Sequence, residues 1–240
     1  MYSNALKRVD WRDSESAPVV LADTEVLLHP SGALVWPDQK TIVVADLHLE
    51  KGSSLASHGM MLPPYDTAAT LAALGDVIRQ FDPRYIVALG DSFHDSDAAS
   101  RMPSAYRGEL RRLQRNREWI WIAGNHDPLP PEGCEGHYMN EFAVDGFVFR
   151  HEPVFGRAPG EVAGHMHPAA RVCIRGRSLR RRCFATDGER MILPAFGVFA
   201  GGLNVLDRAW ASLIQPERLQ AYMLGSDRLY RLTAEQLRDD

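Results

Sequence analysis

The chain has 240 residues, 45% of them hydrophobic and 24% charged. That balance fits one soluble globular domain with a substantial core and excludes a disordered or fibrous chain. A formal net charge of −4 excludes a chain-wide attraction to nucleic acid, so any such contact would come from a local basic patch. Three cysteines, Cys134, Cys173 and Cys183, with no CxxC pair, exclude a disulfide framework and point to a reducing, cytoplasmic setting; Cys173 and Cys183 could still meet across a hairpin.

Residues 1–18 are polar and aperiodic, and lack the apolar core of a signal peptide; they are expected as a flexible N-terminal arm before a single domain over 19–240. Strands are expected at Glu25–Leu28, Ala33–Trp36 and Thr41–Ala45. From Pro64 to Phe81 the apolar residues Leu71, Leu74, Ile78 and Phe81 recur at helical steps. A strand at Tyr85–Leu89, a helix at about Pro103–Asn116 and a strand at Trp119–Ala123 follow. Strands alternating with helices predict a parallel sheet with crossover helices, hence an α/β fold. Beyond Asn140 short strands dominate, at Phe147–Arg150, Arg171–Arg175, Arg180–Ala185 and Tyr222–Leu232. The apolar run from Met191 to Leu206 is broken by Pro194 and three glycines, so it falls short of a membrane span. Its Ala195–Leu206 part reads as a core strand with tight turns rather than a dimer face, which leaves oligomeric state open, a homodimer included.

Five segments share one design. TIVVADLHLEKG ends a strand in Asp46-x-His48, IVALGDSFHD in Gly90-Asp91, and WIWIAGNHDP in Gly124-Asn125-His126-Asp127. FVFRHEP ends in His151, and EVAGHMHP carries Gly164-His165-x-His167. Ligands of open α/β sheets bind beyond the carboxyl ends of strands, so the five would collect at one rim. Any one of these histidines alone fits a loop or core position. Six of the chain's nine in such segments, beside Asp and Asn, point instead to a metal centre. In an extended segment residues i and i+2 point the same way, so Asp46 and His48 could hold one ion, and His165 and His167 neighbouring ions. Nitrogen and oxygen ligands without thiolate suit Mn, Fe or Zn, with too many nitrogens for a typical Mg or Ca site.

D-x-H, G-D-x-x-H, G-N-H-D, an isolated His and G-H-x-H, in this order over Asp46 to His167, resemble the calcineurin-like metallophosphoesterases. The resemblance implies a four-layer α/β/β/α sandwich with mixed sheets and two divalent metal ions. Carried over by position, it implies Asp46, His48 and His167 on the first ion, Asp91 bridging both, and Asn125, His151 and His165 on the second. His126 would face the substrate as a catalytic residue. Asp127 would orient the His126 ring or serve as a turn residue before Pro128. The family often has Gly after its isolated His; here Glu152 stands there, which would crowd the second site or turn outward. His137 is the other unassigned histidine nearby, in a Gly-rich loop.

The G-D-x-F-H form resembles the double-strand-break repair nucleases of this superfamily. That implies a second catalytic role for His94 in positioning the phosphate, the alternative being support of a metal-bound carboxylate or backbone group. DLHLEKG, followed by a Gly- and Met-bearing loop ending in Pro63-Pro64, is similar to the ligase-associated DNA-damage-response endonucleases. The implied function is a binuclear, manganese-dependent phosphodiesterase, with Fe or Zn as other metals. It would act as a DNA endonuclease in repair, through attack of a metal-bound hydroxide on the phosphodiester. DNA is the implied substrate, with a DNA ligase or helicase as partner proteins and no membrane. The alternative is a phosphomonoesterase, or a small-molecule or nucleotide phosphodiesterase, on the same site. Arg171, Arg175, Arg177, Arg180, Arg181 and Arg182 crowd after the last motif, either to contact phosphates or as a solvated hairpin. The complete ligand set disfavours a scaffold without catalysis, and the absence of aromatic-basic interleaving disfavours a plain nucleic-acid-binding module.

Overall fold

The computed structural model describes residues 15–57, 59–60, 65–131 and 133–240. Strands β1 (Ala17–Leu21), β2 (Thr24–Leu28), β3 (Leu34–Trp36) and β4 (Thr41–Val44) form an antiparallel meander. Helices α1 (Lys51–Ser57) and α2 (Asp66–Phe81) lead to β5 (Tyr85–Leu89); α3 (Ala98–Arg101) and α4 (Ser104–Gln114) lead to β6 (Glu118–Ile122), and β7 (His137–Met139) follows. From β4 to β7 the pairing is parallel, which completes a seven-stranded sheet in sequential order. The continuous apolar runs of β4, β5 and β6 have a physical reason: helices cover one face and a second sheet covers the other. The stripe Leu71, Leu74, Ile78 and Phe81 of α2 is buried against the first sheet.

The second sheet holds β8 (Glu141–Val144), β9 (Phe147–Arg150), β10 (Glu161–Ala163), β11 (Pro168–Ile174), β12 (Arg177–Thr186), β13 (Met191–Ile192), β14 (Leu203–Asn204), β15 (Gln220–Leu224) and β16 (Leu229–Thr233). Its nine strands are mixed: β9, β10 and β13 run parallel, as do β11 and β14, and the other pairs are antiparallel. Trp210, Leu213, Ile214 and Leu237 pack on its outer face. The expected four-layer sandwich is present, with short 3-10 turns (Arg208–Trp210 and Ala234–Gln236) in the outermost layer.

Several expectations shift. Residues 1–14 of the expected arm lie outside the described residues, as do Pro63 and Pro64; β1 already begins at Ala17, where Val19 and Leu21 alternate into the core. Tyr222–Leu232 is a hairpin rather than one strand, closed by the Gly225 N–H donating to the Arg228 carbonyl (2.9 Å). The Ala195–Leu206 run is core only at its two ends: Ala195, which bridges to Ala45, and Phe196 are buried, as are Asn204 and Val205, but Val198 and Gly201 between them are exposed and the one strand is Leu203–Asn204. All three cysteines are free; Cys173 lies opposite Ser178, and Cys183 opposite Met223. Among the described residues no helix is long and apolar enough to cross a membrane.

Candidate metal centre

The loops after β4, β5, β6, β9 and β10 meet at the carboxyl ends of their strands. They are stitched by backbone hydrogen bonds: the His48 N–H donates to the Asp91 carbonyl (2.9 Å) and the Leu49 N–H to that of Ser92 (2.9 Å). The backbone is not extended here, as the i, i+2 reading assumed. Asp46 (φ 53°), His48 (44°), Asp91 (46°), His165 (66°) and His167 (44°) are all left-handed. Non-glycine residues take that conformation at a cost that the surrounding structure must offset, and such positions gather at functional sites. Gly124 explains the tight approach of two loops: a Cβ there would lie 2.1 Å from the Asp91 nitrogen. At Gly90, with φ 72°, a Cβ would lie 2.6 Å from the His151 ring.

Two groups of ligating atoms result, Asp46 with His48 and His167, and Asp91 with His151 and His165; within each, the atoms lie within 4.8 Å of one another. In the first, His48 Nε2 and His167 Nε2 are 3.2 Å apart, and His167 Nε2 is 3.3 Å from Asp46 Oδ1. In the second, Asn125 Oδ1 sits 2.9 Å from His151 Nε2 and 3.1 Å from His165 Nδ1. His151 Nε2 is 3.5 Å from Asp91 Oδ1. His165 and His167 therefore fall in different groups, from a left-handed backbone rather than the extended one that the spacing argument assumed.

The residues fit divalent cations. Asp46 and Asp91 are buried, and among the described residues their ion-pair partners are histidines, with no Lys or Arg. Two buried carboxylates so placed need compensating positive charge. Burial, with the charges of His167 and Lys51, pushes the His48 imidazole down to about 2, so it is neutral and has a lone pair to give. Burial and His151 lower His165 likewise. His151 Nδ1 donates to the Leu89 carbonyl at 2.9 Å, which leaves Nε2 as the lone-pair nitrogen facing the second group.

The other singled-out residues take distinct places. His126 is partly exposed; its Nδ1 donates to the His94 carbonyl (2.8 Å), and its Nε2 lies 3.9 Å from Asp91 Oδ2. The His94 ring stacks on that of His126, with centroids 5.1 Å apart at 20°, and its Nδ1 is 3.5 Å from His48 Nδ1. Asp127 does not orient the His126 ring. Its carboxylate accepts the N–H groups of Ser92 (2.8 Å), Phe93 (3.1 Å) and Gly124 (3.1 Å), and so fastens the loop of Asp91 to its own. Glu152 has turned outward; it is exposed, with Oε1 3.9 Å from His165 Nε2. His137 is on β7 facing Glu118, in neither group. Lys51 was not singled out from the sequence. Its charge depresses both His48 and His94, and its place within DLHLEKG, three residues after His48, was the available signal.

The arginine segment is largely engaged within the fold. Arg182 donates to the carbonyls of Ala195 (2.5 Å) and Phe196 (3.2 Å), Arg171 bonds Ser178 Oγ and the Asp239 carbonyl, and Arg180 bonds Asp240 and the Gly202 carbonyl. Arg175 stands in the two-residue turn between β11 and β12, with a left-handed φ of 50°, and Arg177 begins β12.

Comparison with known proteins accords with this site. A family model described as calcineurin-like phosphoesterase matches residues 39–192. The nuclease MPE of Pseudomonas putida, a crystal structure, shares 29% identity with a TM-score of 0.71, over 90% of this chain and 100% of that one. Yfce, a phosphoesterase from E. coli, shares 13% identity over 81% of this chain and 98% of its own, with a TM-score of 0.38, too distant to add to the assignment. No curated protein sequence matches. With the family match spanning both groups of ligating residues, the chain belongs to the calcineurin-like phosphoesterase family and is a phosphoester hydrolase.

Proposed function

We propose that the chain is a binuclear-metal phosphodiesterase that cleaves DNA and acts in DNA repair, with manganese as its metal. One observation carries the reading: two ligand groups stand side by side, joined through His151, which lies 3.8 Å from Asp46 and 3.5 Å from Asp91. Asp46, His48 and His167 would hold one ion, Asn125, His151 and His165 the other, with Asp91 between them. When bound, two such ions supply an activated water as nucleophile and neutralise the phosphoryl oxygens. The likeness to a protein described as a nuclease, over nearly the whole of both chains, supports a nucleic acid substrate.

The protein's own residues do the rest. The His94 carbonyl fixes the His126 tautomer with hydrogen on Nδ1, so Nε2 faces the centre beside Asp91. There it stabilises charge on a phosphoryl oxygen or, once protonated, gives its proton to the leaving alkoxide. The His94 ring, stacked on His126 and facing His48, holds the phosphate from the same side. Beside the second group lies an open cleft of about 350 Å³ lined by Asn125, Asn140, Arg150 and His151, with the carboxylates Glu141 and Glu152 also on its wall.

The test is hydrolysis by the manganese-loaded protein of a phosphate monoester, a small phosphate diester and DNA, with His126→Ala as the blank. Cleavage of the diester and DNA, lost in the variant, is expected. Cleavage of the small esters with DNA untouched would overturn the nuclease reading and assign the enzyme to small phosphates.

A further inference from the structure

Beside the first ligand group, on the side of α1, is a built feature that the chemistry at phosphorus does not use. Phe199 and Tyr65 stand with ring centroids 6.3 Å apart, tilted by 49°. Tyr65 is 58% exposed, and Phe199 is only partly covered. Two isolated surface aromatics would need no explanation, but this pair is held in place from below and from the side.

The Phe196 N–H donates to the Ala45 carbonyl (2.8 Å) and the Gly197 N–H to that of Asp46 (3.1 Å), which ties the chain leading to Phe199 directly to a ligand loop. Arg182, half-buried, donates to the carbonyls of Ala195 and Phe196. Lys51 Nζ donates to the Phe199 carbonyl at 3.1 Å. The Lys51 backbone N–H in turn bonds the His48 carbonyl (3.3 Å), and its charge reaches both His48 and His94. Tyr65 is fixed at the start of α2, where the next residue, Asp66, accepts the Gly52 N–H of α1 (2.8 Å). The exposed Tyr65 ring, the partly covered Phe199 ring, the Lys51 ammonium and a phosphoester-cleaving centre thus adjoin one another.

We propose that Tyr65 and Phe199 form a stacking shelf for the nucleobase next to the scissile phosphate, with Lys51 beside it for the flanking phosphate. The inference rests on the nuclease reading and deepens it. Every base has a π-face, so such a shelf binds without reading sequence. A base can lie on a protein ring only when it has left its own stack, so the shelf selects single-stranded or locally opened nucleic acid. The net charge of −4 does not oppose this, because the attraction is local.

The test compares the metal-loaded protein on a single-stranded oligodeoxynucleotide and on an abasic chain of the same length and phosphate number, with bis(p-nitrophenyl) phosphate alongside. Base stacking of ordinary strength gives the wild type about a 10- to 100-fold preference in kcat/KM for the base-bearing strand, mostly through KM. Tyr65→Ala and Phe199→Ala should each drive that ratio toward one, while Tyr65→Phe keeps it. Circular dichroism of each variant separates loss of the shelf from loss of fold. A wild type that cleaves both strands equally, or variants that retain the preference, would overturn the shelf alone. Hydrolysis of the small diester with neither strand cut would overturn the nuclease reading, and the shelf with it.

Discussion

At the scale of single residues the site separates ligand atoms from the groups that aim them. His126 lies outside both ligand groups, with its Nδ1 committed to the His94 carbonyl. His126→Ala should therefore retain its metal while kcat falls by about 10²- to 10⁴-fold, the usual worth of a positioned acid or base. Metal analysis of the purified variant checks this, and loss of an ion would contradict the role. Asp127 is different. Burial pushes its carboxyl up to about 6 against the pull of three backbone N–H groups. Asp127→Ala leaves those donors buried without a partner, so a loss of about 1–3 kcal/mol per worst-placed donor is expected in urea unfolding. An unchanged midpoint would show that the loops of Asp91 and Asp127 are held by something else. The convergence of Asp46, His48, Asp91, Asn125, His165 and His167 was legible because each sits where an apolar run stops. The role of Asp127 was not, since its partners in the Asp91 loop are 34 and 35 residues away and are backbone groups.

At the scale of elements, the chain after His151 is held by a pair that no local pattern announces. Arg190 is 1% exposed and donates to the carbonyls of Val154 (3.0 Å) and Gly156 (2.6 Å). Glu161, also buried, faces Arg190 at 3.4 Å and accepts the Val154 N–H at 2.9 Å. Removing one partner of a buried pair leaves an uncompensated charge, so Glu161→Ala should cost about 3–5 kcal/mol in denaturant unfolding. A change within about 0.5 kcal/mol, ordinary for a surface site, would remove the pair from this role. The parallel strands were read well because their apolar runs are continuous and their helices periodic. The failures have physical causes: α1 is short and polar, β10 and β13 have three and two residues, and neither length sustains a period. The Tyr222–Leu232 hairpin was merged into one strand although Gly225, Ser226 and Asp227 between Leu224 and Leu229 are ordinary turn residues, a signal that was there to be read.

At the scale of the whole molecule, burial fixes several histidines in the neutral form. His29, far from the ligand groups in sequence, packs edge-on against Phe81 (5.6 Å), and burial holds its imidazole below the ordinary value. In the unfolded chain it would bind a proton below about pH 6.5. The unfolded state then carries more protons than the folded one, so stability is full above about pH 6.5 and declines as pH falls toward the folded-state pKa. His48, His94 and His165 are shifted the same way and add to the decline. His29→Gln should flatten the fall in melting temperature on acidification; the same slope in variant and wild type would show that His29 titrates normally. The sandwich was legible from motif order more than from composition. What composition could not show is that the outer layer over the second sheet is made of 3-10 turns, and that much of the arginine segment braces the fold.

The proposed chemistry stands on two ions, one in each group of converging side chains, with Asp91 between them. The direct measurement is the metal content per chain of manganese-loaded wild type and of Asp91→Asn, with turnover of a phosphate diester recorded on the same samples. A two-metal centre predicts one ion for each of the two ligand groups in the wild type, and reduced loading with a parallel loss of turnover in the variant. A single ion in the wild type, or full loading and normal turnover in Asp91→Asn, would contradict it.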